Sequence, residues 1–153
     1  MTPSRLRALV IGLAGGAACL TGMALPAVAL DVELITIQAG ERGPSDPELA
    51  ALRPRLRRLV GYRTFRVVEE QRRRCVWRNP ESFALPQGRW LQLLPKGSDD
   101  HAVTMQVRLL DGRRRLMDTQ VRLRNGGTLA FGMGRDSAPG GVGPLIVLLR
   151  AEE

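Results

Sequence analysis

Strict alternation of apolar and polar side chains through the middle of the chain restricts its fold more than any other feature. His101 to Leu110 puts Val103, Met105, Val107 and Leu109 on one side, with Thr104, Gln106 and Arg108 on the other. Arg115 to Arg124 repeats the pattern, with Met117, Thr119, Val121 and Leu123 opposite Gln120, Arg122 and Arg124. A period of two is that of a strand with one buried face, because successive side chains leave a strand on opposite sides. Asp111-Gly112 between these runs is a tight-hairpin signal, and Asn125-Gly126 after the second predicts another hairpin into Thr128 to Phe131. Tyr62 to Trp77 and Arg89 to Leu94 also read as strands, separated by the Asn79-Pro80 break and a turn at Leu85-Pro86-Gln87-Gly88. Pro95 to Asp100 reads as a polar loop, and Gly132 to Gly143 as a glycine-rich one. Leu145 to Leu149 is apolar at every position, the pattern of a strand covered on both faces and therefore central.

One segment carries helical spacing. Leu49, Leu52, Leu56 and Leu59 recur at intervals of three and four, and Ser45-Asp46-Pro47-Glu48 has the order of a capping box. This predicts a helix from Asp46 to Val60, bent at Pro54 and stopped by Gly61. A strand over Asp31 to Gln38 precedes it. The fold class that follows is α+β: a largely antiparallel β-sheet of about six to seven strands with one N-terminal helix packed on it.

The first 29 residues read differently. Arg5 and Arg7 lead into an apolar, small-residue run, then Pro26 and Ala27-Val28-Ala29. A basic start, an apolar middle and an A-x-A cut define a secretory signal peptide. The expected division is a signal peptide at 1–29 and one domain at 30–153, periplasmic or secreted, with no transmembrane span after cleavage. Two alternatives stay open. Gly16-Ala17-Ala18-Cys19 has the small residues of a lipoprotein site, which would anchor the protein through Cys19. The 18 residues from Ala8 to Leu25 also approach the length of an uncleaved anchor.

The chemical inventory is narrow. The net charge is +8, with Lys96 the single lysine among 23 basic residues. Export removes nucleic acid as a partner and leaves an anionic surface or an acidic protein. Cys75 is the one cysteine beyond the leader, so no internal disulfide forms. Beside Arg72-Arg73-Arg74 it is either a small buried side chain or a thiol activated by guanidinium groups. His101 is the only histidine, too little for a tetrahedral zinc site or a Cys–His pair. No metal, cofactor or catalytic residues are therefore expected. Glu69 and Glu70 would point to opposite strand faces and cannot flank one bond. Asp99-Asp100-His101 is the one place where carboxylates adjoin an imidazole, and it sustains an alternative reading as a small periplasmic hydrolase or ligand-binding protein. The leading reading is a non-enzymatic envelope domain, a protein-interaction or assembly-accessory module. It would bind another envelope protein by a sheet edge or by a basic end built from Arg72, Arg73, Arg74, Arg113, Arg114 and Arg115.

The stretch Val121 to Gly132, which contains Asn125-Gly126-Gly127-Thr128-Leu129-Ala130-Phe131, followed by Gly143 to Leu149, resembles a paired-strand pattern of small exported proteins of Gram-negative bacteria. The same cadence is similar to a stretch of the secretin outer-membrane channels. The resemblance implies a cell-envelope setting and carries no residue role with it.

Overall fold

The computed structural model describes residues 29–133 and 142–153. Within them the alternating runs do form antiparallel strands, but these divide between two four-stranded sheets instead of joining one. The first sheet contains β1 (Ala29–Gly40), β2 (Thr64–Val76), β7 (Thr128–Met133) and β8 (Val142–Glu152), in the order β2-β1-β8-β7. The second contains β3 (Glu81–Leu85), β4 (Arg89–Asp99), β5 (Ala102–Asp111) and β6 (Arg114–Arg124), side by side in chain order. The predicted leader, with the Cys19 alternative, lies outside the described residues except for Ala29, which opens β1, and so does most of the predicted glycine-rich loop.

The sheets stack because each has an apolar face. Leu30, Val32 and Leu34 of β1 and Leu145, Val147 and Leu149 of β8 meet Phe83, Leu91, Leu93, Val103, Met105 and Val107 of the second sheet in one buried cluster. β8 lies between β1 and β7, as the run of apolar residues from Leu145 to Leu149 implied. Its other face, with Ile146 and Leu148, joins a second cluster containing Ile37, Phe65, Leu49 and Leu56. That cluster is closed by the one α-helix among the described residues, α1 (Arg53–Val60). Three layers result: helix, sheet, sheet.

The helix differs from the expected one. It lies between β1 and β2 and has eight residues; a 3-10 turn at Pro47–Leu49 replaces the expected first turns. Pro54 sits at the start of α1, where a missing N–H costs nothing, so it opens the helix and does not bend it. Gly61 does end it, in the left-handed conformation with φ of 76°. The capping box does not form, because Ser45 and Asp46 are bonded to β2 instead.

The predicted turn at Leu85-Pro86-Gln87-Gly88 reverses the chain between β3 and β4, and Asp111-Gly112 also turns as expected, whereas two other sites differ. Gly112, with φ of 57°, makes the β5–β6 hairpin. Asn125-Gly126 makes no hairpin: β6 and β7 belong to different sheets. The Asn125 N–H donates to the His101 carbonyl beside the second sheet, while the Gly126 N–H donates to Ala151 in the first, so the turn ties the layers together. Pro95 to Asp100 is not a loop. β4 continues to Asp99 across a register shift between Pro95 and Gly97, and the chain reverses at Asp100-His101. Both residues are left-handed, with φ of 43° and 60°, as a two-residue hairpin turn requires.

Candidate functional site

The basic residues singled out in the sequence are dispersed by the strand geometry. Arg72 and Arg74 project from one face of β2, and Arg73 between them projects from the other. Arg72 is paired with Glu33 of β1 and with Glu70 at 3.3 Å, while Arg74 Nε lies 3.2 Å from Asp31. With Arg150 and Glu152 these residues line an open depression of about 380 Å³ on the outer face of the first sheet, beyond the reach of α1. Acidic and basic groups alternate there, so an anion entering it meets Asp31, Glu33 and Glu152 as well as arginine. The Glu33 carboxylate holds the Arg72 pKa above its ordinary value.

Arg73 turns towards the second sheet. Its Nη1 donates to the Ser82 carbonyl at 3.1 Å and lies 3.6 Å from Glu81, and its guanidinium covers the Phe83 ring at 5.1 Å. Arg113, Arg114 and Arg115 sit at the β5–β6 turn and the start of β6, at the opposite edge of that sheet. Three interstrand steps of about 4.8 Å separate the two edges, roughly 14 Å. Arg114 is 3.9 Å from Asp111 and Arg115 is 3.1 Å from Asp118, whereas Arg113 is exposed without an ion pair among the described residues. The two triplets do not merge into one basic patch.

Asp118 collects a network on the outer face of the second sheet. The Gln106 amide donates to it at 2.7 Å, and Arg108 and Arg115 each donate at 3.1 Å. The Gln106 bond, then the two arginines, hold its pKa below the ordinary carboxylate value against some desolvation. The contribution to stability is present above the ordinary aspartate range and is lost as pH falls through the depressed value.

Asp99, Asp100 and His101 do not converge. Asp99 is bonded to Arg122 at 2.9 Å, and the other two form the exposed β4–β5 turn. No group of three or more metal-ligating side chains occurs among the described residues. Cys75 is fully buried, and its surroundings settle which of its two readings applies. Burial, with help from Glu81, pushes the thiol up to about 11, and the opposing effect of Arg73 is smaller. The thiol is protonated at neutral pH and is no nucleophile. Because the folded pKa is raised, the folded state holds the proton more tightly, so stability is full below the ordinary value near 9 and falls as pH rises to about 11. Urea titrations across that window should show wild type losing roughly 2 kcal/mol more than Cys75→Ala, by the standard 1.36 kcal/mol per pKa unit. Parallel profiles would mean that the thiol is reached by water.

The edges of the sheets are treated unequally. On β2 the Phe65 N–H donates to Ser45 Oγ at 3.1 Å and the Val67 N–H to Asp46 Oδ2 at 2.6 Å, while the Asp46 N–H donates to the Phe65 carbonyl at 2.9 Å. On β3 the Ala84 and Ser82 carbonyls accept from the side chains of Gln71 and Arg73. The β6 edge carries Arg114, Arg115, Asp118, Arg122 and Arg124, a charged rim of the kind that discourages strand pairing. β7 has none of these devices. Its sequence, Thr128-Leu129-Ala130-Phe131-Gly132-Met133, is uncharged, and no strand among the described residues pairs beyond it.

Beside β7 lies a groove of about 280 Å³. Its wall is Leu52, Arg55, Leu56 and Leu59 of the helical segment, and its floor includes Ala130 and Leu148. Leu59 is 51% exposed, one of the few large apolar side chains so open to water. This site was missed in the sequence, although two signals were there: a strand without charge, and a leucine stripe with one member more than the helix buries.

No protein-family model matches the chain, and neither does any curated protein or solved structure.

Proposed function

We propose that this chain is a non-enzymatic exported envelope domain that serves as a protein-interaction or assembly-accessory module and engages its partner through a sheet edge. The observation that carries this reading is the unequal treatment of the edges. β2 is capped by side chains at Phe65 and Val67, β3 at Ser82 and Ala84, and β6 is charged, whereas β7 is uncharged and lies against an apolar groove. An unpaired strand edge is a template for another chain. Cleavage after Ala29 would trim one residue from β1, the one paired with Val76, and leave Leu30 to Gly40 in place. Among the described residues no helix is long and apolar enough to cross a membrane.

Cross-linking in intact cells, followed by fractionation, tests the proposal. The processed protein should be found in the envelope fraction, joined to a second protein. A cytoplasmic product, or one that cross-links to nothing, overturns it. The variant Arg114→Ala separates edge docking from docking by the basic hairpin. Removing this exposed side chain should change stability by no more than about 0.5 kcal/mol. Edge docking leaves the cross-linked yield unchanged, whereas hairpin docking lowers it and makes the remainder salt-sensitive.

A further inference from the structure

Resting on that reading, we infer that β7 and the α1 groove together bind an extended peptide with alternating apolar residues and a carboxylate flank, added to the first sheet as its fifth strand. In a sheet, alternate residues of an edge strand direct their N–H and C=O groups outward, so β7 offers backbone pairing independent of sequence. Specificity must come from the side chains above the new strand. Those of β7 on the helix side are small, with Thr128, Ala130 and Gly132 following one another at every second position. They leave the space that Leu52, Leu56 and Leu59 face from above. An adjacent strand would place every second side chain beneath α1, and apolar ones would cover the half-exposed Leu59.

The charge preference comes from α1 itself. It carries Arg53, Arg55, Arg57 and Arg58 and no acidic residue, and Arg55 is part of the groove wall. A peptide with carboxylates beside its apolar stretch is complementary, and a basic one is repelled. The same arginines argue against a second copy of this chain. Two β7 strands paired antiparallel are related by a twofold axis perpendicular to the sheet, which puts both helices on one face. Each copy would then bring four arginines towards four others, with no acid on either helix.

The probe is a capped peptide of about nine residues, valine and threonine alternating in the centre with carboxylate residues at both ends. A control peptide has lysine at those ends. Titrated into the purified protein, the acidic peptide should shift the amide signals of Thr128 to Met133 and slow their hydrogen exchange. The lysine peptide should bind at least about tenfold more weakly at low salt, and the gap should narrow as salt is added. Leu59→Glu and Arg55→Glu, both at exposed positions, should keep the wild-type melting curve and lose the acidic peptide. Equal affinity for both peptides, or shifts confined to β2 or β6, overturns the inference. So does a concentration-dependent dimer that Leu59→Glu dissociates, which would make a second copy the occupant. If Leu59→Glu still cross-links to the cellular partner, the interaction reading stands and the β7 assignment fails. If wild type cross-links to nothing, that broader reading has failed.

Discussion

Val147→Asp is expected to leave a chain with no cooperative unfolding transition. Val147 is fully buried in the central strand of the first sheet, paired with Thr36 of β1 on one side and Phe131 of β7 on the other, and its side chain belongs to the cluster between the sheets. Loss of the buried valine removes about 1.5–3 kcal/mol of apolar transfer energy. The larger effect is the carboxylate. A carboxylate there would have to be desolvated among the apolar side chains of that cluster or forced to take up a proton, at a cost of several kcal/mol. Together these approach the whole of a typical stability of about 5–15 kcal/mol. β8 amplifies the damage because it serves both cores: Val147 faces the second sheet, while Ile146 and Leu148 face α1. Urea titration followed by tryptophan fluorescence reads the result. A retained sigmoidal transition within about 2 kcal/mol of wild type would mean that β8 tolerates water on its inner face.

Much of this architecture was legible because it depends on local patterning. The period of two marked β5 and β6 without ambiguity, and an unbroken apolar run marked β8 as central, since only a strand covered on both faces has no use for polar residues. What the sequence did not show was partnership between strands. Asn125-Gly126 has the turn chemistry of a hairpin, and that chemistry is equally suited to a link between two layers; only the long-range bonds to His101 and Ala151 distinguish the two. The capping box failed for a related reason. Ser45 and Asp46 are good acceptors for any exposed N–H, and the edge of β2 offered Phe65 and Val67. Local side-chain bonding is a competition that the tertiary fold decides. The arginine triplets were visible as charge, but alternation sends Arg73 to the face opposite Arg72 and Arg74, and each found a carboxylate or a carbonyl nearby. The β7 groove was legible only as two separate signals, an uncharged strand and a surplus leucine, and not as a site. It exists only because a helix and a strand distant in sequence lie side by side.

Phe83→Ala should be the most costly truncation on the second sheet, lowering stability by about 3–5 kcal/mol. Phe83 lies on β3, a strand of five residues hidden in the sequence between Pro80 and Pro86. Such a short edge strand gains little from its own ladder. It is held by its buried side chains, Leu85 and above all Phe83, which is fully buried, opposite Leu91 of β4, and roofed by the Arg73 guanidinium. Removing the ring leaves a cavity that the surrounding backbone cannot close, and it removes the surface on which Arg73 rests. Arg73 also donates to Ser82, so the plug on the β3 edge loosens with the ring. Arg73→Ala should therefore cost less, about 0.5–2 kcal/mol for a cation–π contact and one hydrogen bond, and the double variant should cost less than the sum of the two. Urea titration of the three variants measures this coupling. Strict additivity would show that Arg73 and Phe83 act independently, and a loss below about 1 kcal/mol for Phe83→Ala would show that β3 contributes little to holding the two sheets together.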